Sequence, residues 1–233
     1  MSSSARLRKT QTRDGGGRSM FNANAKQHEK NLQDSVLKIK SELELKYPEL
    51  TFIWEKRLLL KDIAESIGVF DCKELIEANG DPYITPDGGF LFVEWNGVRY
   101  PILVSEAKKQ GTNDERYLEG KDKQSMGNGI ERAPKNADLI VMWCEKLDYN
   151  PYVIFCCGCD FAKGSSIRLR LLGMTRFQDF NTNLCLFEED VTSVYMKGHH
   201  YTEEPNFWTV SEIYEIMKEI AIDVTNHIIE KND

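Results

Sequence analysis

Residues Asp87 to Lys108 read DGGFLFVEWNGVRYPILVSEAK and carry the most informative pattern in the chain. Within it, Asn96-Gly97 stands between two runs that are rich in Val, Ile and aromatic residues. Both central residues of a type I′ turn need a positive φ, which Asn and Gly adopt most readily. The stretch therefore predicts a β-hairpin with Asn96-Gly97 at its tip.

The register of this hairpin brings two carboxylates together. If the residues flanking the turn face each other, paired residue numbers sum to 193, and Asp87 lies directly opposite Glu106. Opposed like charges destabilise a sheet unless something neutralises them, and a divalent cation would do so. Because strand side chains repeat every two residues, Lys108 lies on the same face as Glu106. A bulge at Gly88-Gly89 would move Asp87 off this pairing and leave it within reach of the same cation.

Length and composition predict one large domain in preference to two small ones. The chain has 233 residues, of which 41% are apolar, so it can bury a substantial core. It has no run of eighteen apolar residues, and Met1 to Ser19 lack the apolar block of a signal peptide. We therefore expect a cytoplasmic protein whose six cysteines are reduced thiols.

The charge is unevenly distributed along the chain. Residues 186–233 contain eleven acidic and three basic residues, a net charge of −8, whereas the whole chain carries −7. Residues 1–20 and 161–178 are basic, so they are available to contact phosphates. The overall acidity therefore does not exclude a nucleic-acid partner.

The order of patterns along the chain indicates an α/β fold with a central mixed β-sheet flanked by helices. This sheet would belong to a single domain, residues 21–233. Residues 1–20 would form a flexible basic arm before it. Apolar spacing predicts helices at 22–46, 62–79 and 211–231, and Pro134 suits the first turn of another. Strands are predicted at 152–157 and 184–187, with a strand or a strand-helix mixture at 51–60.

Three blocks in this order carry a family resemblance: residues 86–89 (PDGG), 106–111 (EAKKQG) and 127–132 (GNGIER). Together they resemble the EcoRI-like type II restriction endonucleases, a branch of the PD-(D/E)XK nucleases that cuts palindromes with a central AATT. The similarity extends, more weakly, over most of residues 45–225. It implies a restriction-endonuclease-like fold and a homodimer that hydrolyses double-stranded DNA with Mg²⁺ and leaves 5′-phosphates. A cognate DNA methyltransferase in the same host is implied by the family alone.

The resemblance assigns the catalytic roles to the hairpin 86–108. Asp87, Glu106 and the backbone carbonyl of Ala107 are implied as metal ligands, and oxygen donors of this kind suit Mg²⁺. Lys108 would orient or help deprotonate the attacking water and would neutralise charge in the transition state. Asp87, Glu106 and Lys108 are therefore the expected catalytic residues.

The same resemblance assigns DNA reading to the segment 109–136. Asn pairs bidentately with adenine N6 and N7, Arg supplies donors to purine N7, and Gly lets the backbone approach the base edges. The expected DNA-binding residues are Gly127, Asn128, Gly129, Glu131, Arg132, Arg168 and Arg170. Lys109 replaces the family's usual His, Gly129 replaces an Ala, and Ser125-Met126 also differ. We therefore expect the central AATT to be retained and the flanking base pair to be altered or relaxed.

Three other functions are compatible with parts of the sequence. A repair or junction-resolving PD-(D/E)XK nuclease would share the hairpin and need no base-reading segment. A non-catalytic DNA-binding protein would not need Asp87, Glu106 and Lys108. Cys156, Cys157 and Cys159 could bind zinc, although they follow a predicted buried strand and no second Cys-x-x-Cys accompanies them.

Overall fold

In a computed structural model, the protein is described over residues 17–67, 83–109, 116–122, 143, 147, 149–162, 193–201, 203 and 206–232. Helix α1 spans Gly17–Lys46. The helix predicted over 22–46 is therefore confirmed, and residues 17–20 of the predicted arm belong to it. Its buried side chains Leu32, Val36, Ile39 and Leu43 recur at helical spacing.

The next segment alternates short strands and a helix, as predicted for 51–60. Strand β1 spans Thr51–Glu55, β2 spans Leu58–Leu59, and helix α2 spans Leu60–Ile67. Strand β3, Tyr83–Ile84, pairs with β2 in a small second sheet.

The central sheet is mixed and has five strands. Besides β1, it contains β4 (Phe90–Trp95), β5 (Val98–Lys109), β6 (Tyr152–Cys157) and β7 (Ser193–Lys197), in the order β1-β4-β5-β6-β7. The pairs β1·β4 and β4·β5 are antiparallel, whereas β5·β6 and β6·β7 are parallel. This confirms the predicted mixed sheet and the strand at 152–157. Residues 184–187 and Pro134, the predicted start of a helix, lie outside the described residues, and β7 was not predicted.

The last helix, α3, spans Val210–Asn232 and closes one face of the sheet together with α1. Its buried residues include Ile213, Met217, Ile220, Val224 and Ile228. They join side chains from α1 and the central strands in one core cluster, which confirms the prediction of a final helix that packs into the core. Each fully buried aliphatic side chain of this kind contributes about 1.5–3 kcal/mol. None of the described helices combines the length and apolar character that a bilayer-spanning segment requires.

The hairpin turn forms as predicted, since Asn96 and Gly97 have φ values of 50° and 77°. From Trp95↔Val98 to Phe92↔Pro101, the numbers of the paired residues sum to 193, as expected. Beyond that point the pairing shifts by one residue, with Leu91↔Leu103 next.

The extra residue is therefore Ile102, and the predicted pairing of Asp87 with Glu106 is wrong. Pro101 supplies the physical reason, because it has no N–H to donate to the strand ladder and prolines inside strands concentrate at bulges. The shift falls between Leu91 and Phe92 on β4, not at Gly88-Gly89.

The bulge decides which face of the sheet each β5 side chain occupies. Ile102 and Leu103 both lie in the core beneath α1 and α3. Val104 and its partner Phe90 lie in a second apolar cluster on the opposite face. Because strand side chains alternate, Glu106 and Lys108 follow Val104 onto that opposite face.

A capping box begins helix α3. The Thr209 N–H donates to Glu212 Oε2 at 2.9 Å, and the Glu212 N–H donates to Thr209 Oγ1 at 3.2 Å. Lys197 Nζ, at the end of β7, also donates to Glu212 Oε1 at 2.6 Å. Lys197 and the donors of Thr209 together lower the pKa of Glu212 to about 2.

We expect Glu212→Gln to lower the free energy of unfolding by about 1 kcal/mol at neutral pH, since it removes an ion pair and a helix-dipole interaction. The folded-state pKa lies below the ordinary 4.5, so the stabilisation is present above pH 4.5 and is lost as the pH falls towards 2. Urea denaturation from pH 7 to pH 2.5 measures this difference. Glu215→Gln, at an exposed position of the same helix, is the control. An equal loss for Glu212→Gln at pH 7 and pH 2.5 would contradict the assignment.

Candidate active site

Strand β5 brings Glu106 and Lys108 into direct contact on the sheet face opposite the long helices. Lys108 Nζ donates to Glu106 Oε1, and the hydroxyl of Tyr152 donates to Glu106 Oε2 at 3.1 Å. Glu106 is only 4% exposed and Tyr152 only 1%. Each carboxylate oxygen of Glu106 therefore has its own hydrogen-bond donor in a nearly water-free position.

Asp87 reaches the same place from the turn that precedes β4. Its Oδ2 accepts a hydrogen bond of 3.0 Å from the backbone N–H of Ala107, the residue between Glu106 and Lys108. Asp87 therefore lies beside the Glu106–Lys108 segment although it does not pair with Glu106. Asp87, Glu106 and Lys108 are therefore close together, as the sequence predicted. The contact that brings Asp87 there is with the Ala107 N–H and not the predicted pairing with Glu106.

Three elements hold the turn that carries Asp87. Gln33 Nε2 of α1 donates to the Asp87 carbonyl, and Trp54 Nε1 of β1 donates to the Gly88 carbonyl, both at 3.0 Å. The Gly88 N–H donates to the Ser105 carbonyl of β5 at 3.0 Å. Gln33 and Trp54 were not identified from the sequence, because no local pattern links them to a turn 54 and 34 residues away.

The charges of the site act on Lys108. Burial of the ammonium lowers the pKa of Lys108, but Glu106 and then Asp87 raise it by a larger total amount. The pKa of Lys108 therefore lies above its ordinary 10.5, and the side chain is a cation at neutral pH. The site thus contains two carboxylates and one ammonium group.

The donor set fits a hard divalent cation. Asp87 and Glu106 offer carboxylate oxygens, and Ala107 between Glu106 and Lys108 offers a backbone carbonyl. Within the described ranges, no group of three or more His, Cys, Asp or Glu side chains could hold a metal ion. A cation bound by so few protein oxygens would keep several waters, which is how Mg²⁺ commonly binds proteins.

Cys156, Cys157 and Cys159 are buried and form no disulfide bond within the part of the chain that the structure describes. Cys156 and Cys157 belong to β6, and Cys159 follows them. Cys156 is aligned with Lys108 across the parallel pair, and burial raises the pKa of its thiol well above the ordinary value. Cys156 lies on the site face beside Lys108 and Glu106, whose charges act on its thiol. Within the described ranges, these cysteines belong to no group of three or more side chains that could hold a metal ion.

The expected DNA-reading residues lie outside the described residues. They are Gly127, Asn128, Gly129, Glu131, Arg132, Arg168 and Arg170. Of the segment 109–136, the structure describes residues 109 and 116–122. The assignment of these residues to DNA therefore stays a prediction.

The fold and the site together define a class of protein. A mixed five-stranded sheet flanked by helices, with two carboxylates and a lysine at its central strands, is the restriction-endonuclease-like arrangement expected from the sequence. The profile of the restriction endonuclease EcoRI family matches residues 14–173, a range that includes the hairpin and the segment 127–132. The chain therefore belongs to the EcoRI restriction endonuclease family.

Two type II restriction enzymes are similar to this chain. RsrI of Cereibacter sphaeroides is 32% identical over 164 residues, which cover 65% of this chain and 58% of that enzyme. EcoRI of Escherichia coli is 26% identical over 243 residues, with 87% of this chain and 86% of that enzyme covered. The match thus spans a little over half of the first relative and most of the second.

The close approach of Gly88 to β5 leads to a test of how the site is built. A Cβ added at Gly88 would lie 2.0 Å from Ser105 Oγ, so we expect Gly88→Ala to destabilise the protein by about 2 kcal/mol. Ser105 is fully buried, and its hydroxyl has no hydrogen-bond partner among the described residues. Urea denaturation should therefore show Ser105→Ala alone to be nearly neutral.

The double variant Gly88→Ala/Ser105→Ala should recover most of the lost stability. The contacts that remain, to Leu32 and to the Ser105 Cβ, are 3.2 and 3.3 Å and need only small shifts. A double variant as unstable as Gly88→Ala would show that the clash with Ser105 does not explain the need for glycine.

Proposed function

We propose that this protein is a type II site-specific deoxyribonuclease that hydrolyses DNA phosphodiester bonds with Mg²⁺ and leaves 5′-phosphates. The observation that supports this most strongly is the convergence of Asp87, Glu106 and Lys108 on one segment of β5, residues 106–108, where Asp87 accepts from the Ala107 N–H and acts electrostatically on Lys108. Family membership supports it independently, and both similar enzymes are named type II restriction enzymes.

Asp87, Glu106 and the carbonyl of Ala107 would hold the Mg²⁺ ion. When bound, the ion supplies Lewis-acid stabilisation of the phosphate and lowers the pKa of a water molecule. Lys108 contributes a fixed positive charge next to Glu106, so it can hold the attacking water by hydrogen bonding and stabilise the negative charge that develops on the phosphate. The burial of Glu106 strengthens these interactions because it limits screening by solvent.

Recognition of the target belongs to residues after the hairpin. Asn128, Glu131 and Arg132 are proposed to read adenines in the major groove of a palindrome with a central AATT. Gly127 and Gly129 would let the backbone approach the bases, and Arg168 and Arg170 would add purine contacts. A palindromic target is matched by a two-fold symmetric protein, so we propose a homodimer on double-stranded DNA. A cytoplasmic location and a cognate methyltransferase complete the proposed restriction system.

We expect Asp87→Ala and Asp87→Asn to reduce DNA cleavage by at least about 100-fold, because each removes a charged metal ligand. Asp87→Asn keeps a side-chain oxygen that can accept the Ala107 N–H, so its thermal unfolding should stay close to that of the wild type. Glu219→Ala, which removes an exposed carboxylate of α3, should cut normally. Chelation of divalent ions should abolish cleavage by the wild type, and added Mg²⁺ should restore it. Substantial Mg²⁺-dependent cleavage by Asp87→Ala would contradict the catalytic assignment.

Digestion of a plasmid of known sequence, followed by sequencing of the ends, tests the proposed specificity. We expect discrete fragments whose ends all map to palindromes containing AATT and carry 5′-phosphates. The flanking base pair, read from the same ends, should show whether the changes at Ser125-Met126 and Gly129 relax that position. Cleavage at sites lacking AATT would refute the proposed recognition sequence. Cutting without sequence preference would instead favour a repair or junction-resolving nuclease.

A further inference from the structure

We propose that Tyr152 is a positioning residue for Glu106 and that its hydroxyl fixes the orientation in which the Glu106 carboxylate meets the metal ion. The hydroxyl donates to Glu106 Oε2 at 3.1 Å, on the oxygen that Lys108 does not contact. Tyr152 begins β6, lies 46 residues from Glu106 in sequence, and was not identified by any motif. This role rests on the proposed function, because it concerns the metal site of that function.

The Tyr152 backbone is held in place from both sides. On the side of the preceding loop, the Tyr152 N–H donates to Asn150 Oδ1 at 3.0 Å, and Asn150 is itself buried. In the parallel sheet Tyr152 is aligned with Val104, whose N–H donates to the Pro151 carbonyl at 2.7 Å. The start of β6 is thus fixed to the strand that carries Glu106.

The ring of Tyr152 is equally constrained. It is 1% exposed and belongs to the apolar cluster on the site face, together with Phe90, Phe92, Val104 and Trp143. Protein interiors are packed at crystal-like density, so a buried ring of this size has no room to swing. The hydroxyl is therefore a donor at a fixed position. Tyr152 is aligned with Val104, and its hydroxyl reaches Glu106, two residues further along β5.

A fixed donor matters because the terminal torsion of a Glu side chain is broad and does not orient the carboxylate by itself. Lys108 contacts Oε1 with a long and partly exposed side chain, whereas Tyr152 holds Oε2 with a buried ring. Hydrogen bonds to a metal-binding carboxylate commonly set its orientation, and their loss typically reduces metal affinity or activity 10- to 100-fold. Tyr152 is suited to this task.

The experiment compares Tyr152→Phe with Tyr47→Phe. Each change removes one hydroxyl from a buried tyrosine ring, and Tyr47 donates to Asn226 Oδ1 at 2.6 Å in the core beneath the long helices. Mn²⁺ binding to the full chain is measured by electron paramagnetic resonance, without DNA and with uncut DNA. Thermal unfolding and the kcat and KM of Mg²⁺-dependent cleavage are measured beside it.

We expect Tyr152→Phe to weaken Mn²⁺ binding about 10-fold or more and to lower kcat by a similar factor, with KM for DNA within about twofold of the wild type. Tyr47→Phe should bind Mn²⁺ and cut DNA like the wild type, whatever stability it loses. In a Glu106→Gln background, Tyr152→Phe should change Mn²⁺ binding much less, because Tyr152 acts on the metal ion only through the Glu106 carboxylate. Wild-type Mn²⁺ binding by Tyr152→Phe, or an undiminished effect in the Glu106→Gln background, would overturn the role of Tyr152.

Failure of the proposed nuclease is a different result. A wild type that binds Mn²⁺ at this site but cuts no DNA would refute the nuclease, while the comparison of Mn²⁺ affinities would still decide the role of Tyr152. A wild type that binds no Mn²⁺ under either condition would overturn both.

Discussion

The one-residue bulge at Ile102 is the constraint on which the rest of the site depends. A slip of one residue moves every later side chain of a strand to the other face. Without the bulge, Glu106 would share the face of Tyr100 and Val93, which pack towards α1 and α3. An acidic side chain would then lie in the main core, where burial of a charge is costly. With the bulge, Leu103 stays in that core and Glu106 turns to the opposite face.

The bulge also divides the sheet into a structural face and a chemical face. The structural face is closed by α1 and α3, whose aliphatic side chains form most of the larger core cluster. The chemical face carries the smaller cluster, and Glu106 and Lys108 continue it along β5. Lys108 and Tyr152 satisfy the two oxygens of Glu106 there, so the buried carboxylate keeps its hydrogen bonds. The core thus provides a rigid base for the site while remaining separate from it.

Local signals in the sequence explain what could be predicted. Asn96-Gly97 determines its turn because few residues tolerate a positive φ, and the spacing of apolar residues determines α1 and α3 because helices bury one face. The bulge depends on how the whole sheet accommodates Pro101, which is a tertiary effect. The proline was the signal in the sequence that could have indicated it. The contacts of Gln33, Trp54 and Tyr152 join residues that are 34 to 54 positions apart, so no short motif contains them.

The two carboxylates are held in different ways, and this difference has a consequence for how the site forms. Glu106 belongs to a buried strand, whereas Asp87 lies on a turn whose carbonyls are bound by Gln33 of α1 and Trp54 of β1. The docking of α1 and β1 therefore helps to bring Asp87 to the Ala107 N–H. Side chains on turns open at lower free-energy cost than buried strands do. Asp87 is consequently the carboxylate whose position responds first to any loosening of α1, while Glu106 stays fixed by β5 and β6.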